Sequence, residues 1–325
     1  MTLKLPNSER PVSRLVLGTM TFGERVDRAG ARDMVAMALD AGVTWFDTAN
    51  KYTGGTSERL LGDAVATRRD EVVLATKVRN AVDEHDRDAG LSREAIPRAV
   101  DASLARLRTD HIELLYFHRP DWEVEIEESL EAANELIVAG KIGELGLSNY
   151  PAWSIVEAQA ISARRGWPPP RVHQLMYNLT ARAADGEYSR FTERAGMLDV
   201  VYNPLAGGLL TGKHLPSGTP PDAPPDDGRF AQSLYRDRYW HSRTFEAVAR
   251  LQQLAQEAGC SMVELAYRWL RGRDLTDAIL IGASGAAQLQ ENLAAASQPP
   301  LEDALQSACD TIWDEFRGPV PAYWR

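Results

Sequence analysis

The sequence predicts a parallel (β/α)8 barrel, and three observations support this fold class. Eight short runs rich in β-branched or apolar residues recur along the chain of 325 residues. Longer amphipathic stretches with helical periodicity separate these runs, and such alternation is typical of a parallel sheet. The composition shows no abrupt break, so we expect a single barrel domain over residues 1–325.

The eight expected strands follow one another at intervals that leave room for helices. In chain order they are RLVLG (14–18), VTWFDTA (43–49), EVVLATKV (71–78), IELLYFH (112–118), IGELGLS (142–148), VHQLMYN (172–178), LDVVYNPL (198–205) and DAILIGA (277–283). Helical periodicity is clear over 92–107 and 125–140, and both stretches open with acidic or capping residues. The second stretch closes on Gly140, as helices often do.

A doubly wound sheet is the alternative fold. Its dinucleotide fingerprint, G-x-G-x-x-G between a strand and a helix, does not occur in the chain. The glycine-bearing turn near the first strand, LGTMTFG (17–23), has a different spacing. The barrel is therefore the favoured prediction.

Two segments depart from a bare barrel. Between the seventh and eighth strands, an excursion over roughly 206–243 begins with a proline- and aspartate-rich part and continues with YRDRYWHSR. Loops of this length are usually disordered or functional. We expect disorder in the first part and an ordered cover over the site in the second. After the eighth helix, we expect an extra helix over 302–316 and a tail over 317–325.

The bulk composition argues against several classes of function. Hydrophobic residues make up 44% and charged residues 25%, as in a soluble globular protein. The net charge of −10 disfavours nucleic acid and anionic membranes as partners. The first thirty residues do not resemble a signal peptide, so we expect none, and no apolar run approaches the ~18 residues of a spanning helix. Cys260 and Cys309 have no metal-type neighbours, so we expect reduced thiols in a cytoplasmic protein.

Polar residues stand at the ends of three expected strands. Asp47, Lys77 and His118 occupy these positions, and Tyr52 follows Asp47 in the next loop. Taken singly, each has an ordinary explanation as a turn cap, an edge lysine, a loop aromatic or a loop hydrogen-bonding group. Because barrel active sites lie at the carboxyl ends of the strands, the four together predict one site.

The chemistry of these four residue types is complementary. A tyrosine with a pKa near ~10 is a poor acid at neutral pH. A lysine cation beside it stabilises the phenolate, and a buried aspartate keeps the lysine charged and oriented. A histidine can donate to, or orient, a carbonyl oxygen. Such a set can protonate an oxygen when hydride arrives at the adjoining carbon.

Several motifs resemble those of the aldo-keto reductases. They are LGTMTFG, GLSNY (146–150), MYN (176–178), NPLAGGLLTGK (203–213), RDRYW (236–240) and the terminal arginine. The resemblance covers nearly the whole chain and is nearest to the branch of aflatoxin-aldehyde and succinic-semialdehyde reductases. It implies NADPH-linked carbonyl reduction on a (β/α)8 barrel. It also implies catalytic roles for Asp47, Tyr52 (the proton donor), Lys77 and His118.

The same resemblance implies NADPH/NADP+ as the cofactor. Ser148, Asn149 and Gln174 would hold the nicotinamide carboxamide, and Tyr202 would stack on the ring. Ser148 or Asn149 could instead cap the next helix. The segment NPLAGGLLTGK suits a pyrophosphate, with small residues, backbone amides and a lysine. Its expected contact residues are Asn203, Pro204, Leu205, Gly207, Gly208, Leu210 and Lys213.

The last strand and its helix would hold the 2′-phosphate and adenine. The expected residues there are Gly282, Ser284, Gln288, Glu291 and Asn292. Many aldo-keto reductases bind this phosphate with Lys, Ser and Arg. In this chain the matching position on the helix is occupied by the neutral Gln288. Arg229 is a candidate replacement cation, so NADPH is favoured over NADH. Glu291 and Asn292 could equally lie on an exposed helix face.

The resemblance also implies a set of residues around the substrate. These residues are Met20, His118, Tyr235, Arg238 and Arg325. Without the family resemblance, Arg238 would be interpreted as a solvated charge on a loop and Arg325 as part of a frayed terminus. Two guanidinium groups suit a distant carboxylate, which arginine binds through a bidentate fork. We therefore expect a small carbonyl substrate that carries a carboxylate or a second carbonyl group.

Two other functions compete with carbonyl reduction. A nucleotide-sensing binding subunit on the same barrel is the alternative, as in the potassium-channel β-subunits that resemble this family. The complete set of four catalytic residues favours turnover. A metal-dependent hydrolase is disfavoured, and no metal is expected, because the six histidines are scattered singly without a His-x-His pair. The similar branch tends to dimerise, so a homodimer is one expected assembly.

Overall fold

The computed structural model of the chain describes residues 2–6, 11–86, 88–186, 188–215 and 223–319. A short antiparallel hairpin, β1 (Thr2–Lys4) and β2 (Pro11–Ser13), comes first. Eight parallel strands then close into a barrel. They are β3 (Leu15–Gly18), β4 (Trp45–Asp47), β5 (Val73–Val78), β6 (Ile112–Phe117), β7 (Ile142–Ser148), β8 (Val172–Met176), β9 (Leu198–Tyr202) and β10 (Ala278–Gly282).

Each of the eight strands lies within the run predicted for it, so the (β/α)8 barrel is confirmed. The last strand, β10, closes the barrel because it pairs in parallel with both β3 and β9. Eleven α-helices are described. They are α1 (Arg28–Asp40), α2 (Thr56–Val65), α3 (Ala95–Leu107), α4 (Ile126–Val138), α5 (Ala152–Arg165), α6 (Tyr188–Ala195), α7 (Ser233–Tyr239), α8 (Ser242–Glu257), α9 (Met262–Arg271), α10 (Ala286–Ser297) and α11 (Asp303–Arg317).

Local sequence signals set several helix ends. The Asp27 side chain caps α1 by accepting from the Gly30 amide, as Asp commonly does at this position. Ser261 and Glu264 form a reciprocal capping box at the start of α9. Gly140, with a φ of 73°, follows α4 and permits the left-handed turn that ends it, as the sequence predicted.

Apolar side chains from the barrel strands form the buried core. Leu5 and Val12, which flank the N-terminal hairpin connection, belong to the same cluster, so the hairpin packs against the barrel interior. The barrel members of that cluster are Val16, Trp45, Val73, Ala75, Leu114, Tyr116, Val172, Leu198, Val200 and Ala278. The hairpin was not predicted from the sequence.

The chain divides into two compact units. The first comprises Met1–Leu175, Asp185–Tyr202 and Asp277–Leu293, and it holds all eight barrel strands except Met176, the last residue of β8. The second comprises Met176–Ala184, Asn203–Thr276 and Ala294–Arg325. The single domain expected over the whole chain remains a prediction.

The second unit has its own internal contacts. The Arg182 guanidinium pairs with Asp310 at 2.7 Å and lies 4.8 Å from the ring of Trp269. Arg243 donates to the carbonyl of Phe316 at 2.7 Å, which ties α8 to the end of α11. The extra helix expected over 302–316 is confirmed as α11.

The excursion after the seventh strand is partly described. Its aromatic and arginine-rich part forms α7, which confirms that this part is ordered. Residues 216–222 of the part predicted to be disordered lie outside the described residues, as do residues 320–325 of the tail. The expected cover over the site stays a prediction. Within the described ranges, no helix is both long and apolar enough to cross a lipid bilayer.

Candidate active site

Asp47 and Lys77 form a buried ion pair at the carboxyl ends of the neighbouring strands β4 and β5. Asp47 lies opposite Ala75 in the strand register, and Lys77 follows two residues later, so both side chains share one face. Each side chain is 1% exposed. The Lys77 ammonium donates to Asp47 Oδ1 and, at 2.8 Å, to the carbonyl of Thr48. The lysine is therefore held in place by two acceptors.

Burial and mutual attraction act in opposite directions on this pair. Burial lowers the pKa of the Lys77 ammonium, and the carboxylate of Asp47 partly offsets that shift. Burial also raises the pKa of Asp47, and Lys77 opposes the rise. The lowered pKa brings the lysine closer to proton exchange with a neighbouring phenol.

Gln174 completes the surroundings of the Asp47 carboxylate. Its side-chain amide, on β8, donates to Asp47 Oδ2 at 2.9 Å. The sequence had assigned Gln174 to the cofactor carboxamide alone, because no local signal shows which strands face each other inside a barrel. With one carboxylate oxygen on Lys77 and the other on Gln174, Asp47 is fixed in orientation.

Tyr52 lies beside the buried lysine. It sits in a tight turn after β4, where Thr53 takes a left-handed φ of 49°. The Lys77 ammonium is 5.3 Å from the centroid of the Tyr52 ring. The His118 ring meets the Tyr52 ring edge-on, with centroids 6.0 Å apart and an interplanar angle of 82°. The structure therefore brings all four sequence-predicted catalytic residues together.

His118 follows β6, and its backbone amide donates to Val78 at 3.1 Å. Its Nδ1 atom is buried and has no hydrogen-bond partner among the described residues. Burial holds the pKa of His118 well below its usual value, and the cations Lys77, Lys51 and Arg119 lower it further. The imidazole is thus neutral at neutral pH and can orient an oxygen with one N–H group.

Ser148, Asn149 and Tyr202 form a hydrogen-bonded group at the ends of β7 and β9. Asn149 Nδ2 donates to Ser148 Oγ at 3.0 Å and to the His118 carbonyl at 2.9 Å. The Tyr202 hydroxyl donates to Asn149 Oδ1 at 2.7 Å. Neither Ser148 nor Asn149 caps the next helix, since Pro151 is the N-cap of α5. The helix-cap alternative is therefore wrong.

The start of α10 carries the residues expected for the 2′-phosphate. Gln288 Oε1 accepts from the Ser284 amide at 2.8 Å and from the Ser284 hydroxyl at 3.0 Å. Asn292 is buried and donates to the Gly282 carbonyl at 3.0 Å, whereas Glu291 is exposed. The exposed-face alternative thus holds for Glu291 and is wrong for Asn292.

In the second unit, the segment after β9 folds into a tight loop. Asn203 Oδ1 accepts from the Gly207 amide at 2.8 Å. Gly207 has a φ of 70°, and a Cβ on it would lie 2.8 Å from the Tyr235 ring. Lys213 brings its Nζ to 3.5 Å from the place that a Cβ would take on Gly208. The loop therefore offers a backbone turn beside an ammonium group.

Some predicted contact residues of this loop have other surroundings. Leu205 and Leu210 are buried apolar side chains. The Arg229 guanidinium lies 5.5 Å from the ring of Tyr235. Pro204 is also buried.

The residues expected around the substrate are distributed as follows. Met20 follows β3 and is half-buried in the first unit. In the second unit, Arg238 is exposed on α7. Arg325 lies outside the described residues.

Glu58 is a buried carboxylate that the sequence did not single out. It is 0% exposed in the first turn of α2, just after the turn that carries Tyr52. It accepts from the Thr76 hydroxyl at 2.6 Å and from Arg106 Nε at 2.5 Å. Because Thr76 precedes Lys77, Glu58 links the Tyr52 turn to the lysine strand. An acidic residue in a first helical turn normally indicates only a helix start, which conceals this role.

Comparison with known proteins is consistent with this geometry. The family described as "Aldo/keto reductase family" matches residues 14–314. Human aflatoxin B1 aldehyde reductase member 2 is 35% identical over 326 residues, which cover 95% of this chain and 89% of the human protein. Its mouse counterpart is 34% identical over 326 residues, with coverage of 95% and 87%. A probable voltage-gated potassium channel subunit beta of Arabidopsis thaliana is 33% identical over 305 residues, which cover 91% of each chain.

Proposed function

Since this chain belongs to the aldo/keto reductase family and is thus an oxidoreductase, we propose that it reduces aldehydes to alcohols with NADPH. Ketones are a secondary substrate class under this proposal. The observation that carries it is the placement of Tyr52 beside the buried Lys77–Asp47 pair and the neutral His118. The aflatoxin B1 aldehyde reductases among the relatives support an aldehyde as the substrate.

The residues of the first unit fit a nicotinamide carboxamide. Ser148 Oγ accepts from Asn149 and so keeps its own proton for donation. Asn149 and Gln174 supply amide groups, and Tyr202 lies next to Asn149 as a ring on which a flat heterocycle can stack. When bound, the reduced nicotinamide supplies the hydride that reaches the carbonyl carbon. We propose these four residues as the nicotinamide site.

Tyr52 supplies the proton in this proposal. Its hydroxyl donates to the substrate oxygen as the carbon gains hydride, so the carbonyl becomes an alcohol and the tyrosine a phenolate. The Lys77 cation stabilises that phenolate, and water then returns a proton to Tyr52. Neutral His118 holds the substrate oxygen through one N–H group. Asp47, fixed by Gln174, keeps Lys77 charged and oriented.

NADPH is proposed in preference to NADH. Ser284 and the backbone amides at the start of α10 suit an anion such as the 2′-phosphate. Arg229 and Lys213 are the cations that the family resemblance assigns to the phosphates. Gly282, Gln288, Glu291 and Asn292 remain the proposed neighbours of the adenosine end.

The test measures oxidation of NADPH and NADH with 4-nitrobenzaldehyde as the acceptor. We expect NADPH oxidation to depend on the aldehyde and to exceed NADH oxidation at equal concentrations. Absence of turnover with either cofactor, despite tight NADPH binding, would contradict the proposed reductase.

Such a result would favour a second candidate function, a nucleotide-sensing binding subunit. The similarity to the probable potassium channel subunit beta of Arabidopsis thaliana is the observation behind this candidate. The intact set of Asp47, Tyr52, Lys77 and His118 favours turnover instead.

We also propose a cytoplasmic location, a homodimer and a preference for substrates with a carboxylate or a second carbonyl. The two free thiols support a reducing compartment. Arg238, and Arg325 beyond the described residues, are the cations that the resemblance assigns to the carboxylate. Tyr235 and Met20 are the other proposed substrate neighbours.

A further inference from the structure

Cationic side chains gather around the catalytic histidine in the first unit. Lys77, Lys51 and Arg119 all act electrostatically on His118, and Arg79 acts on Arg119. Two of these four cations have carboxylate partners. Lys77 pairs with Asp47, and Arg79 lies 3.5 Å from Asp121.

The other two cations have no such partner. Over the described ranges of the chain, neither Lys51 nor Arg119 forms an ion pair, and both side chains are exposed. The Nε group of Arg119 donates to Asn80 Oδ1 at 3.0 Å, so the terminal N–H groups of Arg119 remain available to another acceptor.

A line of amide contacts holds these two cations beside the reacting groups. Asn50 Nδ2 donates to the carbonyl of Asn80 at 3.0 Å, and Asn80 in turn accepts from Arg119. Lys51 is the residue between Asn50 and Tyr52. On the other side, Asn149 donates to the carbonyl of His118, the residue before Arg119. The loops after β4, β5, β6 and β7 are thereby joined around one opening of the barrel.

The charge at this opening is positive, whereas the net charge of the whole chain is negative. Burial and the neighbouring Arg79 guanidinium lower the pKa of Arg119, with Asp121 partly opposing them, which indicates repulsion between adjacent like charges. A bound anion would relieve that repulsion. It would also find two unpaired cations next to Tyr52 and His118, although the net charge of the chain is −10.

We propose that Arg119 and Lys51 form an anion subsite that binds a carboxylate carried by the aldehyde substrate, away from its reacting carbonyl. This inference rests on the proposed reductase function and assigns the carboxylate to residues of the barrel loops. Arginine forms charge-assisted hydrogen bonds with a carboxylate, and lysine adds a second positive charge.

The test compares 4-carboxybenzaldehyde with 4-nitrobenzaldehyde, which match in shape and differ in charge. Because the nitro group also makes its carbonyl more reactive, the readout is the change between variants in the ratio of kcat/KM for the carboxylate to kcat/KM for the nitro compound. Arg119→Met should reduce that ratio about tenfold relative to the wild type. Arg119→Lys should restore part of the ratio because it keeps the charge and loses the fork. Lys51→Met should reduce the ratio less. Added salt should lower the same kcat/KM ratio in the wild type, because it screens the attraction between the cations and the carboxylate.

Two control variants make the test specific. Arg32→Met removes an exposed arginine from α1 and should leave the ratio as in the wild type. Arg238→Met tests the other cation that is a candidate for binding the substrate carboxylate. An unchanged ratio in both Arg119→Met and Lys51→Met would overturn the subsite. Absence of turnover with both aldehydes would instead overturn the proposed function.

Discussion

Tyr52 is the residue on which the proposed reaction depends for its proton. Replacing it with phenylalanine removes one hydroxyl and leaves the ring beside Lys77 in place. Loss of a positioned general acid costs about 10²–10⁴ in rate. We expect Tyr52→Phe to lose that much in kcat for 4-nitrobenzaldehyde, while its Kd for NADPH in a fluorescence titration stays near the wild-type value.

Tyr116 offers a matched control for this substitution. Its ring also lies near the Lys77 ammonium, at 5.8 Å, but it belongs to the barrel core. We expect Tyr116→Phe to retain most of the wild-type kcat. A Tyr52→Phe variant with more than about a tenth of the wild-type rate would show that the proton comes from another group.

His118 predicts a pH dependence of stability. Its pKa in the folded state lies well below 6.5, so below about pH 6.5 the unfolded chain binds the proton more readily. The free energy of unfolding should therefore fall as the pH falls from 6.5 towards the folded-state pKa, by at most about 1.4 kcal/mol per pH unit from this residue. His118→Gln should lack this component. Urea unfolding at about pH 7.5 and 5.5 measures it. Equal losses in the two proteins would contradict the prediction.

At the residue scale, position along the strands was enough to predict which side chains of the proposed catalytic set lie together. Asp47, Lys77 and His118 follow buried runs, and parallel strands in a barrel bring such ends together. The bond between Gln174 and Asp47 could not be predicted, because it crosses the barrel and depends on strand order. The pairing of Glu58 with Arg106 is equally distant in sequence and leaves no local pattern.

At the scale of elements, α2 and α3 approach very closely at Gly62. A Cβ at this position would lie 2.3 Å from the Leu107 carbonyl oxygen and 2.7 Å from its carbon. Alanine in a helix normally adds about 1 kcal/mol of stability relative to glycine. We expect the opposite sign for Gly62→Ala, a loss of about 1–3 kcal/mol, because backbone must move to admit the methyl group.

Gly285→Ala is the control for Gly62→Ala. A Cβ on Gly285 would meet nothing within 4 Å, and the residue has no positive φ. Its free energy of unfolding in urea should remain close to the wild-type value. A Gly62→Ala protein as stable as the wild type would show that the two helices can separate without cost.

The N-terminus of α10 leads to a prediction about cofactor choice. The Gln288 side chain accepts hydrogen bonds from Ser284 there and carries no charge. Gln288→Arg would place a guanidinium where a 2′-phosphate is proposed to bind. We expect the ratio of NADH to NADPH Kd values to rise about tenfold, since charge-assisted bonds are stronger than neutral ones. Gln290→Arg, on the exposed face of the same helix, should leave the ratio unchanged. Equal effects of both variants would count against the phosphate site.

The elements differ in how far the sequence could predict them. The eight barrel strands were predictable because each is a short apolar run between helices. The seventh was predicted to reach residue 205, yet β9 ends at Tyr202, because Asn203 turns with a φ of 63°. The hairpin of β1 and β2 was missed, since its strands have three residues each and pair across a short connection.

At the scale of the whole molecule, the two cysteines report on redox state and on opening of the fold. Both are free thiols. Cys309 is 1% exposed, and burial raises its pKa to about 12. Cys260 is partly exposed, and burial raises its pKa as well. Because the thiolate is the reactive form, both should react slowly with Ellman's reagent near neutral pH.

We expect Cys260 to react first in the native protein and Cys309 to react only as its surroundings open. Raising the pH from about 7 to 8 should speed the Cys260 reaction about tenfold, since the thiolate fraction rises by that factor below the pKa. The Cys260→Ser variant should therefore lose the early phase, and Cys309→Ser should keep it. In denaturant without reductant, the wild type should show both thiols at once. A count below two would mean that the cysteines had become oxidised, which is hard to reconcile with the reducing compartment proposed for this chain.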